Sequence, residues 1–387
     1  MKTKLSIVEK AVVVFYFLSP FMYLVRVIFG DSLFGFILLR AMQPLLTGVV
    51  LLALIFSKVR FDLYSSAAVL FVIYGVVAGF ANGNEPFDVI TGASHFLIGF
   101  LMYLYYSNTE MSEYQLIVFL KSITCWCLIS ISLVIAVLYM SKAILGVNIY
   151  LGLACQVLIP LSFYAIYRRS YFLFIFILSL VILSGKRGVL LAVFLGFSLS
   201  FLPLLLSSYR NFLSKLLLCI LILVPFALSF GESSFDSLIQ KFEYDEQKSI
   251  NHYSSGRFGE VKSAMDYWQS NNARLFLGAG FGFTYTYIQE NKTLADVGDY
   301  KNVHFSYLNP LIIFGFVLGV IYLLLFSIVV LLSLLKVKSK GSIKPFLKMA
   351  IVSYAIYACF AFVLFNEPLL WMLLGVLNSR RNNAENS

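Results

Sequence analysis

Long apolar runs separated by short polar punctuation recur along nearly all of the 387-residue chain. Runs of roughly 18 or more apolar residues cross the ~30 Å hydrocarbon layer of a bilayer as helices. The pattern predicts spans near residues 8–29, 34–56, 65–80, 91–106, 114–139, 145–167, 171–184, 188–206, 214–230, 305–335 and 349–365. A shorter apolar piece at 368–378 follows Asn366, Glu367 and Pro368 and is read as a short twelfth span. No small-residue cleavage site follows the first run, so that run is also a span. The fold class expected is an all-α polytopic membrane protein with 11–12 transmembrane helices. One polar segment is long. The chain therefore divides into membrane helices over 1–230, an outer segment over 231–303 carrying one amphipathic helix, and C-terminal helices with a cytoplasmic tail over 304–387.

Composition agrees with this reading: 60% of residues are hydrophobic and 12% charged, against about a quarter charged in soluble domains. The formal charge of +10 invites a nucleic-acid reading, but no basic domain exists. Lys2 and Lys4, Lys58 and Arg60, Arg168 and Arg169, Arg210 and Lys215, and the run from Lys336 to Lys348 all fall on one side of the alternating spans. That side is cytoplasmic by the positive-inside rule, and no nucleic-acid partner is expected. Segment 231–303 then lies outside with just over half of the 19 acidic residues. Cys125, Cys127, Cys155, Cys219 and Cys359 sit within apolar runs without metal-ligand or disulfide spacing and read as packing residues.

The candidate chemistry is cationic and outward. Lys186 and Arg187 stand side by side between spans seven and eight, where Ser184, Gly185 and Gly188 keep the turn small. An uncompensated cation at a helix centre costs roughly 2.5–3.5 kcal/mol. The pair therefore either snorkels at the interface or meets an anion. In RFGEVKSAMDYWQS, residues 257–270, Phe258, Val261, Met265 and Trp268 are expected to form one apolar helical face. Gly278, Gly280 and Gly282 then alternate. Phe283 stands where a dinucleotide fingerprint needs glycine, so a tight loop of close backbone approach is predicted. His304 lies at the mouth of span ten and shares the outer face with Arg257, Arg274 and the Lys186–Arg187 turn. Arg40, about 10 Å below the outer end of span two at 1.5 Å per residue, either joins them or is structural. No Walker A loop, GxSxG elbow, HExxH or paired-Asp motif is present. A cationic cluster facing the outer lipid surface calls for an anionic, membrane-borne substrate, and a lipid-linked pyrophosphate fits.

With these residues the chain resembles the O-antigen ligase and O-antigen polymerase superfamily of bacterial envelope proteins. The likeness rests on about a dozen spans, the Ser184–Gly188 turn, the long late loop, the order Arg257, Trp268, Gly278, Gly280, and His304 followed by Gly315. Departures exist: Phe305 replaces the polar residue that follows the ligase histidine, and Gly319 falls one place late. Ser198 and Trp268 stand where an Arg-x10-Gly pattern would put glycine. The resemblance implies a membrane-embedded glycosyltransferase fold of the C type in the inner membrane, acting at its outer face on undecaprenyl-pyrophosphate-linked oligosaccharide without metal or cofactor. Arg187, aided by Lys186 and by Arg274 or Arg40, would neutralise the leaving pyrophosphate. Arg257 would hold the glycan or second phosphate, and His304 would orient or deprotonate the attacking hydroxyl. A repeat-unit polymerase, partnered by a chain-length regulator and a flippase, is the preferred expectation. A ligase acting on the lipid A core and a flippase are the alternatives.

Overall fold

A computed structural model describes residues 5–29, 33–145, 155–184, 187–201, 257–287, 298–335, 342–361 and 364–379. The chain is an all-α polytopic membrane protein whose described part departs from helix only in short connections and one two-stranded ribbon. The described helices are α1 (Ile7–Phe29), α2 (Leu33–Ile55), α3 (Leu63–Ala81), α4 (Pro86–Asn108), α5 (Glu113–Leu145), α6 (Leu158–Tyr167, after a 3-10 turn Cys155–Val157), α7 (Tyr171–Leu183) and α8 (Arg187–Phe201). After 201 come α9 (Arg257–Gln269), α10 (Asn272–Leu277), α11 (Leu308–Leu335), α12 (Lys344–Tyr357) and α13 (Pro368–Asn378). Four described stretches are long and apolar enough to cross a membrane: Leu63–Ala81, Pro86–Asn108, Glu113–Ser141 and Leu308–Leu335. The expected span at 214–230 lies outside the described residues. Where one span was expected over 349–365, α12 already ends at Tyr357, and residues 358–360 and 364–366 form turns.

The chain forms two compact units, each assembled from separated stretches of sequence. The first comprises residues 1–53, 111–240 and 337–354. In it α1 lies along α5, and α6, α7 and α8 pack in succession. The Glu113 carboxylate accepts from the Ile343 N–H at 2.7 Å and the Ser342 hydroxyl at 3.0 Å, satisfying donors at the start of α12.

The second unit comprises residues 54–110, 241–336 and 355–387. Its core is α13 laid along α4, with α3 and α11 beside them. Small residues permit the close approach: a Cβ at Gly99 would stand 2.5 Å from the Trp371 ring, and one at Gly375 would stand 2.8 Å from the Tyr103 carbonyl. Trp371 is fully buried, stacks on Tyr64 at 5.4 Å, and donates from Nε1 to the Leu364 carbonyl at 2.7 Å.

The glycine-rich stretch is the close-approach loop its alternation predicts. Gly278, Gly280 and Gly282 all have positive φ, at 81°, 74° and 77°, a region costly for residues with a Cβ. Helix α11 breaks at Gly315, where φ is 78° and ψ 173°. The break frees two carbonyls: Ile312 O accepts from Ala279 N at 2.7 Å and Ile313 O from Gly280 N at 2.9 Å. Phe281 N donates to Gly75 O at 2.9 Å, and the Asn84 amide donates to the carbonyls of Ala279 (2.8 Å) and Phe281 (2.9 Å). Irregular backbone is tolerable here because its polar groups are met by protein. The loop delivers the chain into β1 (Tyr285–Tyr287), which pairs antiparallel with β2 (Gly298–Tyr300) in the register Tyr285 to Tyr300.

Candidate functional site

Helix α9 packs against β1, and its buried positions are Glu260, Ala264 and Trp268. The helix falls where the pattern placed it; what differs is Glu260, expected among the outward charges and found buried. Of Phe258, Val261, Met265 and Trp268 only Trp268 is buried, while Phe258 is 62% and Met265 37% exposed. The physical reason is Glu260, whose carboxylate faces inward because every hydrogen bond it loses from water is replaced. Ala264, one turn on, is small enough to let β1 come close.

Glu260 collects donors from three separate parts of the second unit. Its Oε2 accepts from Arg257 Nη1 at 2.8 Å, one turn away on α9. Its Oε1 accepts from the His304 backbone N–H at 2.9 Å, meets His304 Nδ1 at 2.7 Å, and accepts from the Tyr285 hydroxyl at 3.2 Å. The Glu260 side chain is 3% exposed, whereas those of Arg257 and His304 are 38% and 39% exposed. Burial alone would raise the Glu260 pKa, but the hydrogen bonds from His304 and its charge interactions with His304 and Arg257 outweigh it and hold the carboxyl below its ordinary value. The result is an ionised, buried carboxylate presenting a guanidinium and an imidazole that solvent can reach.

The segment before α11 is held in place by its own network. Asn309, fully buried in the first turn of α11, accepts from Val303 N at 3.0 Å and donates to Val303 O at 2.7 Å. Ser306 N donates to Ala358 O at 2.8 Å, and the Tyr307 hydroxyl donates to Ala355 O at 2.7 Å. Lys301 Nζ reaches the Asp88 carboxylate in the first turn of α4 at 2.6 Å. His304 is thus flanked by pinned residues and begins no helix itself; residues 305–307, expected as part of the span, form a turn.

The sequence-predicted residues separate into groups. Arg257 and His304 are brought together on one carboxylate. Arg274, on α10, lies elsewhere: its guanidinium sits 4.3 Å over the Tyr267 ring and donates to Ser270 Oγ at 3.3 Å. From Tyr267 a ladder of near-parallel rings, Tyr267–Phe283 and Phe283–Tyr285, each at 6.2 Å, leads back to the Glu260 cluster. Arg187 is the first residue of α8 and Arg40 lies within α2, both in the first unit. Lys186 and the side chains of Arg187 and Arg40 lie outside the described residues. Sequence reasoning missed Glu260, Tyr285, Asn309 and the Asp88–Lys301 pair. The available signal for Glu260 was its i,i+3 spacing from Arg257. Among the described residues no group of three or more His, Cys, Asp or Glu side chains is placed to hold a metal.

Chemically, the cluster can bind an anion or polar glycan at Arg257 and exchange a proton at His304. Comparison with curated proteins and with solved structures gives no match. Residues 172–323, a stretch that includes Arg187, Arg257, Glu260 and His304, match the family model described as O-antigen ligase, and this match supports placing the chain in the O-antigen ligase and polymerase superfamily.

Proposed function

We propose that this protein is a repeat-unit polymerase of envelope polysaccharide, transferring a glycan from undecaprenyl pyrophosphate to a hydroxyl of another lipid-linked repeat unit at the outer face of the inner membrane. The observation that carries the reading is the meeting of Arg257 and His304 on the Glu260 carboxylate, at 2.8 and 2.7 Å. In this reading the acceptor hydroxyl gives its proton to His304 as its oxygen bonds to the anomeric carbon. The bond from that carbon to the pyrophosphate oxygen breaks, and undecaprenyl pyrophosphate leaves with the electron pair. Arg257 binds a phosphate or sugar oxygen of the donor, where a guanidinium can offer two parallel donors. Arg187, with Lys186, is assigned the leaving-group charge on its chemistry and place in the sequence; Arg274 and Arg40 remain proposed substrate-binding residues on the same basis. The charge stabilisation required is of the preorganised electrostatic kind and involves no metal.

The family description favours a second reading, in which the same chemistry delivers the finished glycan to the lipid A core. Deleting the gene and identifying the glycolipid that accumulates separates the two. Loss of a polymerase leaves surface glycolipid capped by one repeat unit, or short lipid-linked units if the product is capsule or exopolysaccharide. Long glycan still attached to undecaprenyl pyrophosphate would instead establish the ligase. Single lipid-linked units trapped on the cytoplasmic leaflet would mean a flippase and overturn both.

A further inference from the structure

We infer that Glu260 is the positioning residue of this site: its carboxylate locks the His304 ring in the tautomer that leaves Nε2 free to take a proton, and seats Arg257 on its other oxygen. The inference rests on the reading of His304 as the group that receives the hydroxyl proton, and deepens it.

The geometry is specific in three ways. First, the backbone N–H and the ring Nδ1 of His304 both converge on Glu260 Oε1, at 2.9 and 2.7 Å. Two bonds from one residue to one atom fix the rotation of the ring as well as its position. Second, the carboxylate is ionised, because its pKa is lowered, and an ionised carboxylate only accepts. The hydrogen at 2.7 Å therefore belongs to Nδ1, and a neutral imidazole protonated at Nδ1 keeps its lone pair on Nε2, across the ring from Glu260. Third, the two carboxylate oxygens are divided between tasks. Oε1 serves His304 and the Tyr285 hydroxyl, while Oε2 serves Arg257. The titratable and charged groups facing Glu260 are Arg257 on its own helix, Tyr285 from β1, and His304 from the segment before α11. When His304 takes a proton, the imidazolium that forms lies against a full negative charge already in place, as in the serine-protease triad, where the carboxylate holds the tautomer and stabilises the cation without accepting the proton.

The test combines spectroscopy with turnover. Protein labelled with ¹⁵N-histidine contains three histidines, His95, His252 and His304, and the His304 signals are assigned by their loss in His304→Ala. In the wild-type protein His304 is expected to carry its proton on Nδ1. In Glu260→Gln the ring is expected to move toward the Nε2–H form. With lipid-linked repeat units extracted from the deletion strain as substrate, kcat is expected to fall by about 10²-fold or more, the usual weight of a positioned acid–base group, with KM little changed. Glu260→Asp keeps the charge for folding but retracts the oxygens by about one carbon–carbon bond, and is expected to mix tautomers and lower kcat at normal protein levels. Wild-type tautomer and turnover in either variant overturn the inference. If His304→Ala itself turns over normally, the function of His304 is refuted instead; an inactive His304→Ala beside a fully active Glu260→Gln removes Glu260 alone.

Discussion

Replacing Gly280 by alanine tests whether the glycine loop supports the site. Gly280 has φ +74°, and a Cβ there would run into the backbone N and Cα of Gly79 and lie 2.5 Å from the Ala78 carbonyl carbon. None of these atoms can swing aside as a side chain could. The left-handed conformation costs an L-residue about 1–2 kcal/mol, and forcing a methyl into packed backbone adds about 1–3 kcal/mol. The sum, roughly 2–5 kcal/mol, is a large part of the stability of a typical domain. The loop also holds α11 open through the bonds from Ala279 N and Gly280 N, so the damage should reach the Glu260 cluster. Gly48, in α2, is the matched control: among the described residues nothing stands within 4 Å of its Cβ position, and alanine in a helix interior is favoured over glycine by about 0.5–1 kcal/mol. Heating detergent-solubilised protein and measuring the monodisperse fraction by fluorescence-detected gel filtration should show Gly280→Ala melting several degrees below the wild type and Gly48→Ala at or above it. Equal melting of Gly280→Ala and wild type would refute the reasoning.

Lys301→Met should destabilise the protein by about 1–3 kcal/mol by leaving the largely buried Asp88 carboxylate without its cation; adding Asp88→Asn should restore most of the loss in the same melting assay. Because the Glu260 pKa is lowered in the folded state, its contribution to stability is complete above the ordinary carboxyl range, near pH 4.3, and is lost as pH falls through the depressed value. Melting temperature should therefore owe nothing to Glu260 titration between pH 8 and 5 and decline below about pH 4, with Glu260→Gln lacking that part of the acid limb. Arg187→Ala should abolish polymer at normal protein level, and Arg187→Lys should recover little if bidentate phosphate binding is required; near-normal chain length in Arg187→Ala would return the turn to a snorkelling role.

The membrane helices were legible because their signal is long and redundant: α3, α5 and α11 each carry enough apolar residues that one misread position changes nothing. The alternation of Gly278, Gly280 and Gly282 likewise announced a backbone needing glycine. Which backbone it would meet, Gly75 and Gly79 of α3 and the opened turn before Gly315, depends on tertiary packing and leaves no mark in the local pattern. The inward turn of Glu260 in α9 was hidden for a related reason. A periodicity argument sends carboxylates outward, and Glu260 turns inward only because Tyr285 and His304 arrive from later in the chain to satisfy it. Arg257 and His304 could be named as candidates from residue type and order, but the atom that joins them belongs to a residue whose type read as surface.

The most direct measurement of the central claim is the glycan made by a deletion strain carrying His304→Ala or Arg257→Ala on a plasmid, with membrane levels of each variant matched to wild type. Either change should leave envelope glycan without extended chains, matching the empty-vector strain, because the cluster on Glu260 would lose its proposed proton acceptor or its proposed anion-binding group. A wild-type distribution of chain lengths from His304→Ala would contradict the assignment of glycosyl transfer to this site.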